Sequence, residues 1–422
     1  MSTRRATRAR GSAGFTLVEL MVSLTGGLFL SLAVFALARD SGRFYQREMR
    51  LANATISGLL GFERLRADLG RAGFLASPNI VRDPRRCGTP DGNWPEGLRN
   101  MASIRVTKPD VTYDALTRNG RKPPIITLAG AFSSSDVYGA QVVPNGENTN
   151  FVLSIREGAG ALRRLGNGIM PTTETMTAAF PQLRVLRIVQ NGRHYYGQIA
   201  AAAGGAQPTV TINTLPQVQF RSGSGIDCGL SDVLGSGASI PMINVVNFIQ
   251  YAVRPPKTVA AKAAYKNLFD NSKDGPGEAE RTELTRVEVD INGRELENTE
   301  EIVAEYAVDF DLQVTAVTSK TGCCDPNLTL LPSTDPQYPT FTGPVFNFAN
   351  TPELIRSVRV RLGVRSREGD REGSIPTVPP LTALTNPAEQ GVFRFGINDG
   401  GFARVRTFQA DVALHNQADI LW

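Results

Sequence analysis

The sequence predicts an α+β fold, a long N-terminal helix followed by antiparallel β-sheet with long loops. Three observations carry this. Residues 15–38 are almost wholly apolar, and residues 39–74 contain no proline and repeat apolar residues at helical spacing. The remainder alternates apolar and polar residues in short runs, separated by stretches rich in Gly, Pro, Ser and Asn.

The twenty-four residues from Phe15 to Ala38 carry one formal charge, Glu19. A helix of that length crosses the roughly 30 Å hydrocarbon core of a bilayer. Arg4, Arg5, Arg8 and Arg10 precede it, so the positive-inside bias keeps the start cytoplasmic and sends the rest across. These arginines supply four of the five net positive charges, leaving +1 for the rest of the chain. The pI of about 9.1 therefore belongs to the first residues, and no nucleic-acid partner is expected. Two export signals compete with a plain anchor. Ala36-Leu37-Ala38 supplies a small-x-small cut, but its apolar stretch is too long and holds a carboxylate; Arg4-Arg5 starts a twin-arginine pattern that Ala6, Thr7 and Arg8 do not continue. An ionisable group inside an apolar span needs a reason, and Glu19 needs one.

Residues 39–75 read as the amphipathic continuation of the same helix. Leu51, Thr55, Leu59, Phe62, Leu65 and Leu69 recur at three- and four-residue spacings, which predicts the buried face. Glycines 58, 61, 70 and 73 lower helix propensity, and Pro78 lies beyond the end.

In the body, residues 76–422, Val287 to Ile291, Val308 to Val314, Val358 to Val364 and Phe408 to Leu414 alternate apolar with polar residues. That pattern predicts strands with one apolar face and one wet face. Further strands are expected at 103–107, 125–129, 150–156, 183–189 and 245–253, and loops at 77–100, 200–209, 255–282, 318–352 and 366–390. A subdivision near residue 240, into two separate sheets, stays open.

Cys87, Cys228, Cys323 and Cys324 are an even set in a chain whose body is exported, which suggests disulfides. Adjacent cysteines rarely join each other, so Cys323 and Cys324 are expected to reach Cys87 and Cys228 separately, with one bridge and two unpaired thiols as the alternative. Metal ligation is disfavoured, because no C-x-x-C spacing exists and only His194 and His415 are present. Asp270, Ser272 and Asp274 before Gly275 resemble the start of a calcium loop, but Arg281 stands where a bidentate Glu belongs; a solvated acidic turn explains them as well. Nothing assembles a nucleophile, base and oxyanion hole, so neither an enzyme nor a cofactor is expected.

The run Gly14-Phe15-Thr16-Leu17-Val18-Glu19-Leu20 resembles the signal of type IV prepilins and type II secretion pseudopilins. The resemblance implies a basic leader, 1–14, cut after Gly14 by the prepilin peptidase, with methylation of Phe15. It implies that Glu19 pairs with the N-terminal ammonium of a neighbouring subunit, that 15–38 is the membrane and assembly half of the helix, and that 39–75 lies on β-sheet. Phe62 to Phe74 (FERLRADLGRAGF), with Cys87 following and Asp411 to Asn416 closing the chain, resembles minor pilins of PilW type; that family more often has Arg at the place of His415. The implied role is a non-catalytic minor pilin that primes pilus assembly at or near the fibre tip. Its expected partners are the prepilin peptidase, other pilins, the inner-membrane assembly platform and membrane lipid. The implied location is a single pass of the inner membrane with a periplasmic body, then the fibre. A J-type minor pseudopilin, a tip adhesin and a membrane-anchored periplasmic enzyme are the alternatives.

Overall fold

The computed structural model describes residues 15–107, 113–143, 150–155, 164–165, 170–213, 228, 230, 240–255, 281–321, 325–331, 351–367, 394–397, 402–418 and 420. The chain forms two compact units, Met1–Ala52 and Asn53–Trp422. Helix α1 runs from Leu17 to Arg71, 55 residues. Within the first unit the stretch Leu17–Tyr45, 29 residues, is long and apolar enough to cross a membrane, and its large apolar side chains are exposed. The fold is α+β, as the sequence predicts.

The second unit holds two antiparallel sheets. The larger comprises β1 (Ile104–Thr107), β2 (Ile125–Gly130), β3 (Tyr138–Val143), β4 (Asn150–Ile155), β5 (Val185–Gln190), β6 (Arg193–Ala203), β7 (Thr209–Asn213), β8 (Met242–Arg254), β9 (Glu283–Val289) and β10 (Glu301–Ala304). The smaller comprises β11 (Ala307–Thr321), β12 (Asp325–Leu331), β13 (Ile355–Arg365), β14 (Arg394–Gly396) and β15 (Phe402–Ala413), in the order β12-β11-β13-β15-β14. Short helices α2 (Glu96–Arg99), α3 (Asp114–Arg118) and α4 (Thr173–Ala179) punctuate the loops.

Strand β8 organises the larger sheet. Its first residues pair with β3 and β5, closing the path β8-β3-β4-β7-β6-β5 into a ring. Its later residues pair with β2 on one side and β9 on the other. β8 thus joins strands from before and after residue 240, so 75–240 and 241–422 do not form separate sheets. The ring encloses its own core, in which Phe180 at the end of α4 meets Tyr138 at 5.0 Å between ring centroids. Burial, then the nearby Asp136, pushes the Tyr138 phenol up to about 12. Asn191 and Gly192, both at positive φ, turn β5 into β6. Asn-Gly is the usual chemistry for so tight a hairpin.

The main core lies between the outer half of the larger sheet, the smaller sheet and the last turns of α1. Strands β11 and β13 do not carry the fully wet face that their alternation predicts. Asp309 and Arg361 are buried and joined at 2.7 Å, and Arg121 adds a third charge to Asp309 at 3.3 Å. Arg365 is fully buried against the Tyr306 ring, 5.1 Å from its centroid. Polar alternation in these strands therefore records buried ion pairing as well as exposure. Residues 200–203 and 325–331, expected as loop, are strand.

The expected cysteine pairing is also overturned. Cys87 and Cys228 lie at disulfide distance from each other, Cα atoms 5.2 Å apart across 141 residues of sequence. The turn carrying Cys87 is docked on β6, the Cys87 amide donating to the His194 carbonyl at 2.9 Å and the His194 amide to the Arg85 carbonyl at 2.8 Å. Leu230, two residues beyond Cys228, is buried in the ring core against which Cys87 packs. Cys323 and Cys324 lie outside the described residues. Closing so long a loop contributes roughly 4–5 kcal/mol by the chain-entropy estimate, an upper bound. Peptide mapping without reduction is expected to recover Cys87 joined to Cys228. Cys87 joined to Cys323 or Cys324 would contradict this pairing.

Candidate functional site

The N-terminal determinants sit at the start of α1. Thr16 caps the helix, its Oγ1 accepting from the Glu19 amide at 3.2 Å, and the Leu20 amide donates to the Thr16 carbonyl at 3.1 Å. Thr16-Leu17-Val18-Glu19 has the T-x-x-E spacing of a capping box. Glu19 stands in the first turn, where a carboxylate meets the positive end of the helix dipole. Phe15 is 80% exposed and Glu19 is exposed, whereas Gly14 lies outside the described residues.

The last turns of α1 form a seat within the second unit. The buried face is Gly58, Gly61, Phe62, Leu65, Asp68, Leu69 and Ala72, the three- and four-residue spacing of one helix side. Leu59, expected in that face, is 48% exposed. The two glycines take its place because the helix comes very close to the strands. A Cβ on Gly58 would meet Phe408 at 2.5 Å, and one on Gly61 would meet the Val303 carbonyl oxygen at 2.3 Å. Phe62 stacks on Phe408 with ring centroids 5.9 Å apart.

Asp68 is the polar key of this seat. It is 3% exposed, accepting from Arg286 Nε of β9 at 2.7 Å and from Tyr251 Oη of β8 at 2.8 Å. Burial, then the Asp68 charge, raises the Tyr251 phenol well above its ordinary value. Burial disfavours the Arg286 guanidinium, but the bond and charge of Asp68 outweigh it and raise its pKa. The aspartate thus ties the helix to two strands of one sheet.

The C-terminal residues close the seat. Asn416 Nδ2 donates to the carbonyls of Gly70 at 3.3 Å and Ala72 at 3.0 Å, satisfying acceptors that a helix end leaves without partners. Arg71 Nη2 donates to the Ala131 carbonyl at 2.8 Å, and the Gly73 amide to the Ala129 carbonyl at 2.8 Å. Gly73 has φ +77°, the left-handed conformation that ends helices and favours glycine. Gln417, fully buried, accepts from Ser103 and donates to the Ile355 carbonyl at 2.6 Å. His415 itself is exposed. Asn416 and Gln417 are the residues that sequence reasoning missed, and only their position beside a predicted last strand hinted at them.

A second polar cluster surrounds His194. Its Nδ1 lies 3.3 Å from Asp83 Oδ2, and its Nε2 lies 3.0 Å from Arg187 Nη2. Arg187 can only donate, so Nε2 accepts and Nδ1 carries the proton toward Asp83. A Asp–His pair of this kind resembles a catalytic dyad, but the nitrogen that would act as base is occupied by a guanidinium. Burial, helped by the Arg187 charge, holds the His194 pKa below its ordinary value against the pull of Asp83. Burial would raise Asp83, yet hydrogen bonds led by that from His194 lower it. Among the described residues no group of three or more His, Cys, Asp or Glu side chains can hold a metal. Asp270, Ser272 and Asp274 lie outside them.

The His194 shift sets a pH dependence. Unfolded chain takes up a proton near 6.5 while folded chain does not, so stability is retained above that pH and falls as pH drops through the folded pKa. Denaturant unfolding of the full chain at a series of pH values is expected to show this loss starting near 6.5, and His194→Asn to flatten it. An unchanged pH profile in the variant would contradict the assignment. Compared with protein-family models, curated proteins and solved structures, the chain matches none.

Proposed function

We propose that this chain is a minor pilin of PilW type, a non-catalytic subunit that primes assembly of a type IV pilus at or near the fibre tip. The observation that carries this reading is the run Gly14-Phe15-Thr16-Leu17-Val18-Glu19-Leu20 at the head of α1, a helix with an exposed apolar stretch of 29 residues. The FERLRADLGRAGF segment supports it, because Asp68, Leu69, Arg71, Ala72 and Gly73 each have a physical task in seating that helix. On this reading the leader is removed after Gly14 and Phe15 is methylated. The chain passes once through the inner membrane with its body in the periplasm, and it later joins the fibre with other pilins. Exposed apolar side chains such as Leu24, Leu28 and Phe35 are then covered by lipid before assembly and by neighbouring subunits after it. Glu19 supplies the carboxylate that meets a neighbour's N-terminal ammonium in a low-dielectric setting.

Intact-mass analysis of the membrane-extracted protein tests processing: the expected mature chain starts at methylated Phe15, and a start at Arg39 would refute the reading. Glu19→Gln tests the charge separately from the helix cap, since glutamine also serves in a capping box. Cleavage is expected to persist and assembly to fail. Normal pilus assembly by Glu19→Gln would show that the charge has no pairing role.

A further inference from the structure

Where the turn at 83–88 docks on the tip of the β5–β6 hairpin, four arginines gather, and among the described residues no carboxylate pairs with them. Arg85 is exposed. Arg86 is held by main-chain carbonyls, Nε donating to Gly88 at 3.2 Å and Nη1 to Asp83 at 3.0 Å. Arg193 is held the same way, Nη1 donating to the Pro84 carbonyl at 3.0 Å. Arg187 lies half-buried beneath them, against His194 and Asn244. Among the described residues the carboxylate in their midst is Asp83, which is 2% exposed and engaged by His194 and the Arg85 amide. With His194 neutral, four positive charges among the described residues face one negative, a local excess of +3 for those residues. Neighbouring arginines behave otherwise: Arg82 meets Glu353 at 2.5 Å and Arg184 meets Glu288 at 2.9 Å.

This concentration is local, because the chain beyond residue 14 carries only +1 overall. Carbonyl-bound guanidiniums have already met the ordering cost of binding, and each retains further N–H donors. A planar guanidinium fork matches a tetrahedral oxyanion through paired charge-assisted hydrogen bonds. An excess of +3 is better matched by a multiply charged group than by a single carboxylate. The Cys87–Cys228 bridge lies next to Arg86 in this turn.

We propose that the 83–88 turn and the adjoining hairpin tip form a recognition surface for phosphate-type oxyanions, met as a free phosphate compound or as a phosphate-bearing lipid headgroup. The test uses the full chain in uncharged detergent micelles at low ionic strength. Pyrophosphate is titrated in one arm, and micelles doped with phosphatidylglycerol in the other. Saturable binding is expected in at least one arm, and competition by pyrophosphate separates a soluble ligand from a headgroup that needs a surface. Arg85→Gln, Arg86→Gln and Arg193→Gln are each expected to weaken binding by about tenfold. Lysine at the same positions keeps the charge but not the fork, and should fall between. Circular dichroism and an intact Cys87–Cys228 bridge report that the variants fold. Equal binding by the triple glutamine variant would overturn the proposal, since other arginines would then hold the anion. So would binding of a polyglutamate peptide with neither phosphate probe bound.

Discussion

A buried aspartate on one helix, shared between an arginine and a tyrosine on neighbouring strands, fixes where α1 sits within the second unit. Asp68, Arg286 and Tyr251 are nearly removed from water, so each needs the others. Taking one partner from a buried pair typically costs about 3–5 kcal/mol, because the remaining charge is left desolvated. Such a contact adds less to net stability than that figure suggests, since an apolar replacement of both partners can be nearly neutral. What it adds is register. A helix turned or slid by one residue would present Ala67 or Leu69 to Arg286 in place of Asp68, and the close approaches at Gly58 and Gly61 would become clashes.

The same logic recurs through the main core. Asp309 with Arg361 and Arg121, and Glu353 with Asn79 and Arg82, each join segments far apart in sequence through buried or half-buried charge. Glu283 shows the cost of that device. Burial, only partly offset by Arg281, lifts its carboxyl to about 7. The C-terminal segment contributes differently, by hydrogen bonding. Asn416 and Gln417 are neutral, and they satisfy carbonyl groups that would otherwise end inside the fold. Asn416, 346 residues along the chain from Gly70, therefore caps the last turn of α1.

Composition and periodicity made much of this legible. The apolar stretch, the single carboxylate within it and the helical continuation followed directly from residue types. Strong alternation disclosed β9, β11, β13 and β15, and apolar runs disclosed β1, β2, β4, β5 and β8. From residue 200 onward the sequence predicts loop where β6 continues, because its alanines lack the β-branched or aromatic signal of a strand. Hydrophobic periodicity counts leucines and so assigns Leu59 to the buried face, where it does not lie. Close packing at that point selects glycine, which no hydrophobicity pattern scores. Arg286 lies 218 residues from Asp68, so their partnership is a tertiary fact that local pattern could not disclose. The cysteine pairing was illegible for a related reason: it depends on one turn docking against β6.

The most direct test of this account is a double-mutant cycle on Asp68 and Arg286, read by denaturant unfolding of the full chain in detergent. Asp68→Ala and Arg286→Ala are each expected to destabilise the body by about 3–5 kcal/mol, and the double variant by clearly less than their sum. Losses that add to within about 0.5 kcal/mol would contradict the claim, because Asp68 and Arg286 would then be independent contacts and not the key that seats the helix.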